Sequence, residues 1–156
     1  MRALGLAEVR FEQTSENDCL VDVEINGASG KMLVDTGTYH ALADIRLARE
    51  IKARPFVTRA GHRRPQTLDE FEHVTRVDPH RREVAALVDE APMTPLRSFK
   101  IGGVAVKAPD IRLRRLPFFT VSDPSKPIGL LGMDILGPNG TVIDFGQRKL
   151  YFFPAE

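Results

Sequence analysis

Met32-Leu33-Val34-Asp35-Thr36-Gly37 sets an acid directly behind an apolar run, with a hydroxyl residue and a glycine after it. The run reads as a buried strand, so the acid stands at the edge of a low-dielectric interior rather than in open water. The glycine permits a tight turn and lets backbone N–H groups approach the carboxylate closely. The threonine hydroxyl can brace the same loop. Alone, such a tripeptide arises by chance in roughly a few per cent of chains this long, so its meaning depends on what surrounds it.

Upstream, Cys19–Ile25 is apolar apart from Asp22 and Glu24, the pattern of a strand with one face toward water. Asn26-Gly27 follows, the strongest short hairpin signal. The loop is expected to run through Gly30, with residues 31–34 as the return strand. Downstream, residues 44–52 read as a helix. Asp44 can cap it by accepting an orphan N–H, Ile45, Ala48 and Ile51 form one stripe, and Pro55 ends the pattern. Residues 54–82 hold seven arginines and three of the four histidines with weak apolar periodicity, and read as an exposed, mobile insertion.

Strand signals return at Phe99–Ile101, turn at Gly102-Gly103, and resume over residues 104–106. Residues 111–116 alternate with arginines, as a half-buried strand does. A second apolar stretch is Ile128-Gly129-Leu130-Leu131-Gly132-Met133-Asp134-Ile135-Leu136, closed by Gly137-Pro138-Asn139-Gly140. Val142-Ile143-Asp144-Phe145 and Leu150-Tyr151-Phe152-Phe153 flank Gly146-Gln147-Arg148-Lys149 as a final hairpin. The expected fold class is all-β with one or two short helices. A single domain over residues 1–156 is expected, interrupted by an Arg-rich insertion at 53–97.

Lys plus Arg is 22 and Asp plus Glu is 21, a net charge of +1, which argues against a dedicated binder of nucleic acid or anionic membrane. The basic run Arg59-Ala60-Gly61-His62-Arg63-Arg64 has no interleaved aromatic and reads as a solvated loop. Cys19 is the only cysteine, so an internal disulfide and a Cys-rich zinc site are both excluded. It reads as a small strand residue. His62, His73 and His80 lack zinc-like spacing, and no metal is expected. No apolar run approaches the roughly 20 residues that cross a bilayer, and an acid interrupts the N-terminus before any signal-like region forms. A cytoplasmic, reducing setting is the expectation.

The two glycine-bearing motifs together resemble the retropepsin-like aspartic proteases, single-domain relatives of pepsin that include the retroviral proteases. Asp35-Thr36-Gly37 matches the family's catalytic turn, and Leu130-Leu131-Gly132-Met133-Asp134 matches its second motif. The run from Gly129 to Leu136 has the form common in the bacterial branch. The resemblance covers residues 19–52 and 98–153. It implies a single-lobe closed β fold and an aspartic endopeptidase acting on peptide or protein through a water nucleophile, without cofactor. Asp35 would be the catalytic residue. Thr36 and Gly37 would support its loop, Thr36 by hydrogen bonding across a dimer. The family's flap often carries a small residue and glycine at its tip, and Ala60-Gly61 is the candidate here. Residues 53–97 are longer and richer in arginine than the usual flap hairpin.

Aspartic proteolysis needs two carboxylates sharing a proton, and this chain carries one such motif. Asp123-Pro124-Ser125 lacks the glycine, Asp144-Phe145-Gly146 reads as a strand and turn, and Asp134 belongs to the short helix. The partner of Asp35 is therefore expected to be Asp35 of a second copy across a two-fold axis. A serine hydrolase reading has His40 but no credible nucleophile among Ser29, Ser98, Ser122 and Ser125. The rival of another class is a catalytically inactive dimerisation or peptide-binding module, with the Arg-rich insertion as its contact surface.

Overall fold

The computed structural model describes residues 5–48, 50–52, 93–108, 110–114, 116 and 126–155. The chain order is β1 (Ala7–Arg10), β2 (Glu12–Gln13), β3 (Cys19–Ile25), β4 (Ala28–Val34), β5 (Leu42–Asp44), a 3-10 turn (Ile45–Ala48), β6 (Met93–Pro95), β7 (Phe99–Ile101), β8 (Val104–Ala105), β9 (Asp110–Arg114), β10 (Pro127–Leu131), helix α1 (Met133–Leu136), β11 (Val142–Asp144) and β12 (Lys149–Phe152). Strand is the dominant secondary structure of the described chain, with one short α-helix, as the sequence pattern predicts.

Alternation explains the strands that were legible. In β3, Val21, Val23 and Ile25 are buried while Asp22 faces water. In β9, Ile111 and Leu113 point inward between half-buried arginines. Burying each such side chain stabilises the fold by about 1.5–3 kcal/mol. In β12, Leu150, Tyr151 and Phe152 are all buried, so this strand is covered on both faces. One continuous core joins Val9 and Phe152 of the small sheet β1-β12-β11 to Val23, Met32, Ile111 and Leu131 of the larger sheet.

The larger sheet has the order β6-β9-β5-β10-β4-β3-β7-β8, with β2 paired to β3. Its centre places the site. Strand β10 runs parallel to β4 and antiparallel to β5 and lies between them. The loop of residues 35–41 therefore leaves β4, passes over the end of β10 and returns as β5.

Two local expectations are corrected. The hairpin loop does not extend through Gly30. Strand β4 starts at Ala28, and the turn is Asn26-Gly27 alone, with φ of +50° and +93°. Both central residues take positive φ, as the tight primed hairpin turns require, so no further loop residues are needed. Residues 44–52 do not form an α-helix either. Asp44 ends β5, Ile45–Ala48 winds as a 3-10 turn, and the Ile51 N–H then donates to Leu47 O at 3.0 Å. Spacings of three match the three residues per turn of a 3-10 helix as well as a helical stripe. The capping role of Asp44 survives, since its Oδ1 accepts the Arg46 N–H at 2.9 Å. The carboxylate is fully buried, held also by the Arg46 guanidinium and the Leu116 N–H.

The expected mobile insertion at 54–82, and Ala60 and Gly61 within it, lie outside the described residues. No helix among the described residues is long and apolar enough to cross a membrane. Cys19 is buried on β3, where desolvation and then the nearby Asp18 charge push its thiol up, which suits a packing role.

Candidate active site

Asp35 is the first residue after β4, and its backbone N–H donates to Leu131 O on β10 at 3.1 Å. The chain then turns sharply, and the Gly37 N–H donates to Asp35 Oδ1 at 2.8 Å. The Thr38 hydroxyl donates to the other oxygen, Oδ2, at 2.7 Å. Both carboxylate oxygens are thus fixed by donors of the same loop, and the half-buried group keeps one side toward solvent.

Thr36 is different. It is exposed, and its hydroxyl makes no hydrogen bond to a described residue, so within one chain the bracing hydroxyl is that of Thr38. Thr38 was not singled out by sequence reasoning. The signal was present, since a hydroxyl residue three positions after an acid can reach back to it in a turn. Thr36 instead borders a groove of about 180 Å³ shared with Met133, Leu136, Gly137, Gly140, Thr141 and Ile143.

The second motif holds the loop from below. Met133 N–H donates to Thr38 O at 3.0 Å, and Asp134 N–H to Tyr39 O at 2.8 Å. Asp134 Oδ1 accepts the Ala41 N–H at 2.9 Å. Both glycines of the motif are required by close approach. A Cβ on Gly129 would strike Leu42 O on β5. A Cβ on Gly132 would sit 2.6 Å from His40 C, 2.7 Å from Tyr39 O and 2.8 Å from Ala41 N. The motif is therefore the floor on which the Asp35 loop rests. This is the physical reason that two motifs nearly a hundred residues apart belong to one site.

Three other acids fall out of consideration as reacting groups. Asp134 is committed to Ala41, Asp44 is buried beneath Arg46, and Asp144 Oδ1 accepts the Gln147 N–H in the final hairpin turn. No group of three or more His, Cys, Asp or Glu that could hold a metal ion occurs among the described residues.

A crystal structure of a retropepsin-like aspartic protease from Rickettsia conorii superposes with a TM-score of 0.52 at 18% identity, over 94% of this chain and 90% of that one. The chain has a retropepsin-like fold. The retroviral protease-like domain of Ddi1 from Leishmania major also matches, with a TM-score of 0.41 at 16% identity over 86% of this chain and 90% of that one. No protein-family model matches the chain, and no curated protein matches it in sequence.

Proposed function

We propose that the chain is an aspartic endopeptidase that works as a two-fold homodimer, with Asp35 of each copy forming the reacting pair. The observation that carries this reading is the Asp35 carboxylate itself. It is held at the crossing of β4, β10 and β5 by Gly37 and Thr38, and no second acid among the described residues is placed like it. A peptidase of this chemistry needs two carboxylates, so the other comes from a second copy.

In this mechanism one carboxylate takes a proton from water while the water oxygen attacks the scissile carbonyl carbon. The other carboxyl gives its proton to the carbonyl oxygen. Collapse of the tetrahedral intermediate breaks the C–N bond, with a proton passing to the leaving nitrogen. Gly37 and Thr38 hold the carboxylate plane so that the pair faces the water. Thr36, exposed beside the apolar groove, is proposed to hydrogen-bond across the dimer. Ala60 and Gly61 remain the proposed flap contacts to a peptide or protein substrate.

The pair sets the pH dependence. At low pH both carboxyls are protonated and no base remains; at high pH both are ionised and no acid remains. The rate profile is expected to be bell-shaped, with its optimum in roughly pH 3–6. Cleavage of a peptide library, with inhibition by a pepstatin-type compound, tests the reading. Asp35→Asn keeps the shape of the site and abolishes cleavage, with folding checked on the same sample. Peptide binding without cleavage by the wild-type chain would instead favour the inactive peptide-binding module.

A further inference from the structure

The Asp35 loop ends near His40, whose ring stands where three elements meet. Nδ1 lies 3.4 Å from Asp134 Oδ2 on α1, and Nε2 lies 2.9 Å from Nη2 of Arg112 on β9. The Tyr39 ring packs edge-on, with centroids 4.8 Å apart and planes at 90°. Among the described residues these are the charged and titratable groups at the ring: Asp134 from the helix, Arg112 from the strand and Tyr39 from its own loop.

The geometry selects one protonation form. A guanidinium has only donors, so a contact of 2.9 Å requires a lone pair on Nε2. The ring proton then sits on Nδ1, on the side of the Asp134 carboxylate. Asp134 is itself oriented, because its Oδ1 accepts the Ala41 N–H and its backbone N–H donates to Tyr39 O.

We propose that His40 is a proton-sensitive strut of the Asp35 loop. The neutral ring joins the loop to both α1 and β9. A proton taken up at Nε2 sets an N–H against the N–H groups of a cation, so the Arg112 side of the strut opens. The Asp134 side is retained, now between opposite charges. In acid the loop keeps its hold on the helix and its backbone bond from Arg112 N–H to Ala41 O, and loses the side-chain tie to β9. This device acts on the loop independently of any proton shared at Asp35.

His40→Gln is the informative variant. Its amide oxygen can take the Arg112 donor, its amide nitrogen can face Asp134, and it does not titrate. Ring nitrogen NMR of the wild-type chain is expected to show the Nδ1–H tautomer at high pH. Amide exchange of residues 39–41, which make no hydrogen bond to Asp35, corrected for the intrinsic effect of pH, is expected to quicken about tenfold as the ring takes its proton. The same exchange in His40→Gln stays flat. Arg112→Met, which keeps the ring and removes the donor, should give the fast exchange at high pH with no further acid step. An Nε2–H tautomer, or an undiminished acid step in either variant, overturns the proposal. None of these readings uses cleavage, so an inactive protein would sink the peptidase proposal and leave this one standing.

Discussion

Thr38 and Gly132 hold the site at the scale of single residues. Thr38→Val deletes the donor to Asp35 Oδ2 while conserving shape. A hydrogen bond to a charged group is worth about tenfold or more in an equilibrium, so kcat should fall about tenfold with the melting transition little changed, and Thr38→Ser should restore most of it. An unchanged kcat in Thr38→Val would show that Gly37 alone orients the carboxylate. Gly132→Ala forces a Cβ into the backbone of residues 39–41. Overpacking of this kind costs about 1–3 kcal/mol, readable as a lowered denaturant midpoint, and the displaced loop should lose activity further. Asp35 and Gly37 were singled out in the sequence because an acid behind an apolar strand and a glycine after it suit a held carboxylate, whereas Gly132 entered only as part of the second motif and its contact with residues 39–41 was not legible. Thr38 was not legible either, because its hydroxyl matters only through the turn that brings it back to Asp35. Nor was the contact of His40 with Arg112, which depends on β9 lying next to β5.

Strands with clear alternation emerged as read, and elements defined by their neighbours did not. The alternation of β3 and β9 and the Asn-Gly turn are local. Strand β5 is three residues long and exists because β10 and β9 pair with it on either side, which no local pattern announces. The hairpin turn also has a second use. Asn26 Nδ2 donates to Ile51 O at 2.9 Å, and its Oδ1 accepts the N–H groups of Arg97 and Ser98 at 2.7 and 3.1 Å. Asn26→Gly keeps the positive φ and loses these bonds, for about 1–3 kcal/mol by chemical denaturation. Asn26→Ala should be worse by about 1 kcal/mol, because alanine resists that backbone region. Equal stability of both variants with wild type would deny the clasp. On the same hairpin, the hydrogen bond to Glu12 raises the Lys31 ammonium above the ordinary lysine range, with Asp22 adding to it against opposing desolvation. A raised folded pKa means stability present below the unfolded value and lost as pH climbs through the folded one. Lys31→Met should therefore cost no more than about 1 kcal/mol at neutral pH, and its deficit should close in strongly alkaline buffer. A deficit that persists there would assign the effect to packing of the lysine stem.

For the whole molecule, one carboxylate among the described residues is held as Asp35 is, and the proposed chemistry needs two. The second motif was legible as a run of residues, but its place beneath the Asp35 loop was not, because that depends on β10 lying between β4 and β5. The sequence is silent on how two copies would meet in the proposed dimer, because an interface depends on surface shape rather than on periodicity along a strand. Subunit mixing measures the shared site most directly. Wild-type and Asp35→Asn chains are combined in equal amounts, allowed to exchange, and assayed for peptide cleavage at fixed total protein, with dimer mass confirmed by light scattering. If both copies must contribute Asp35, only the wild-type pairs are active, and about one quarter of the all-wild-type rate remains. Half of the rate would mean that each chain acts alone, and would contradict the account.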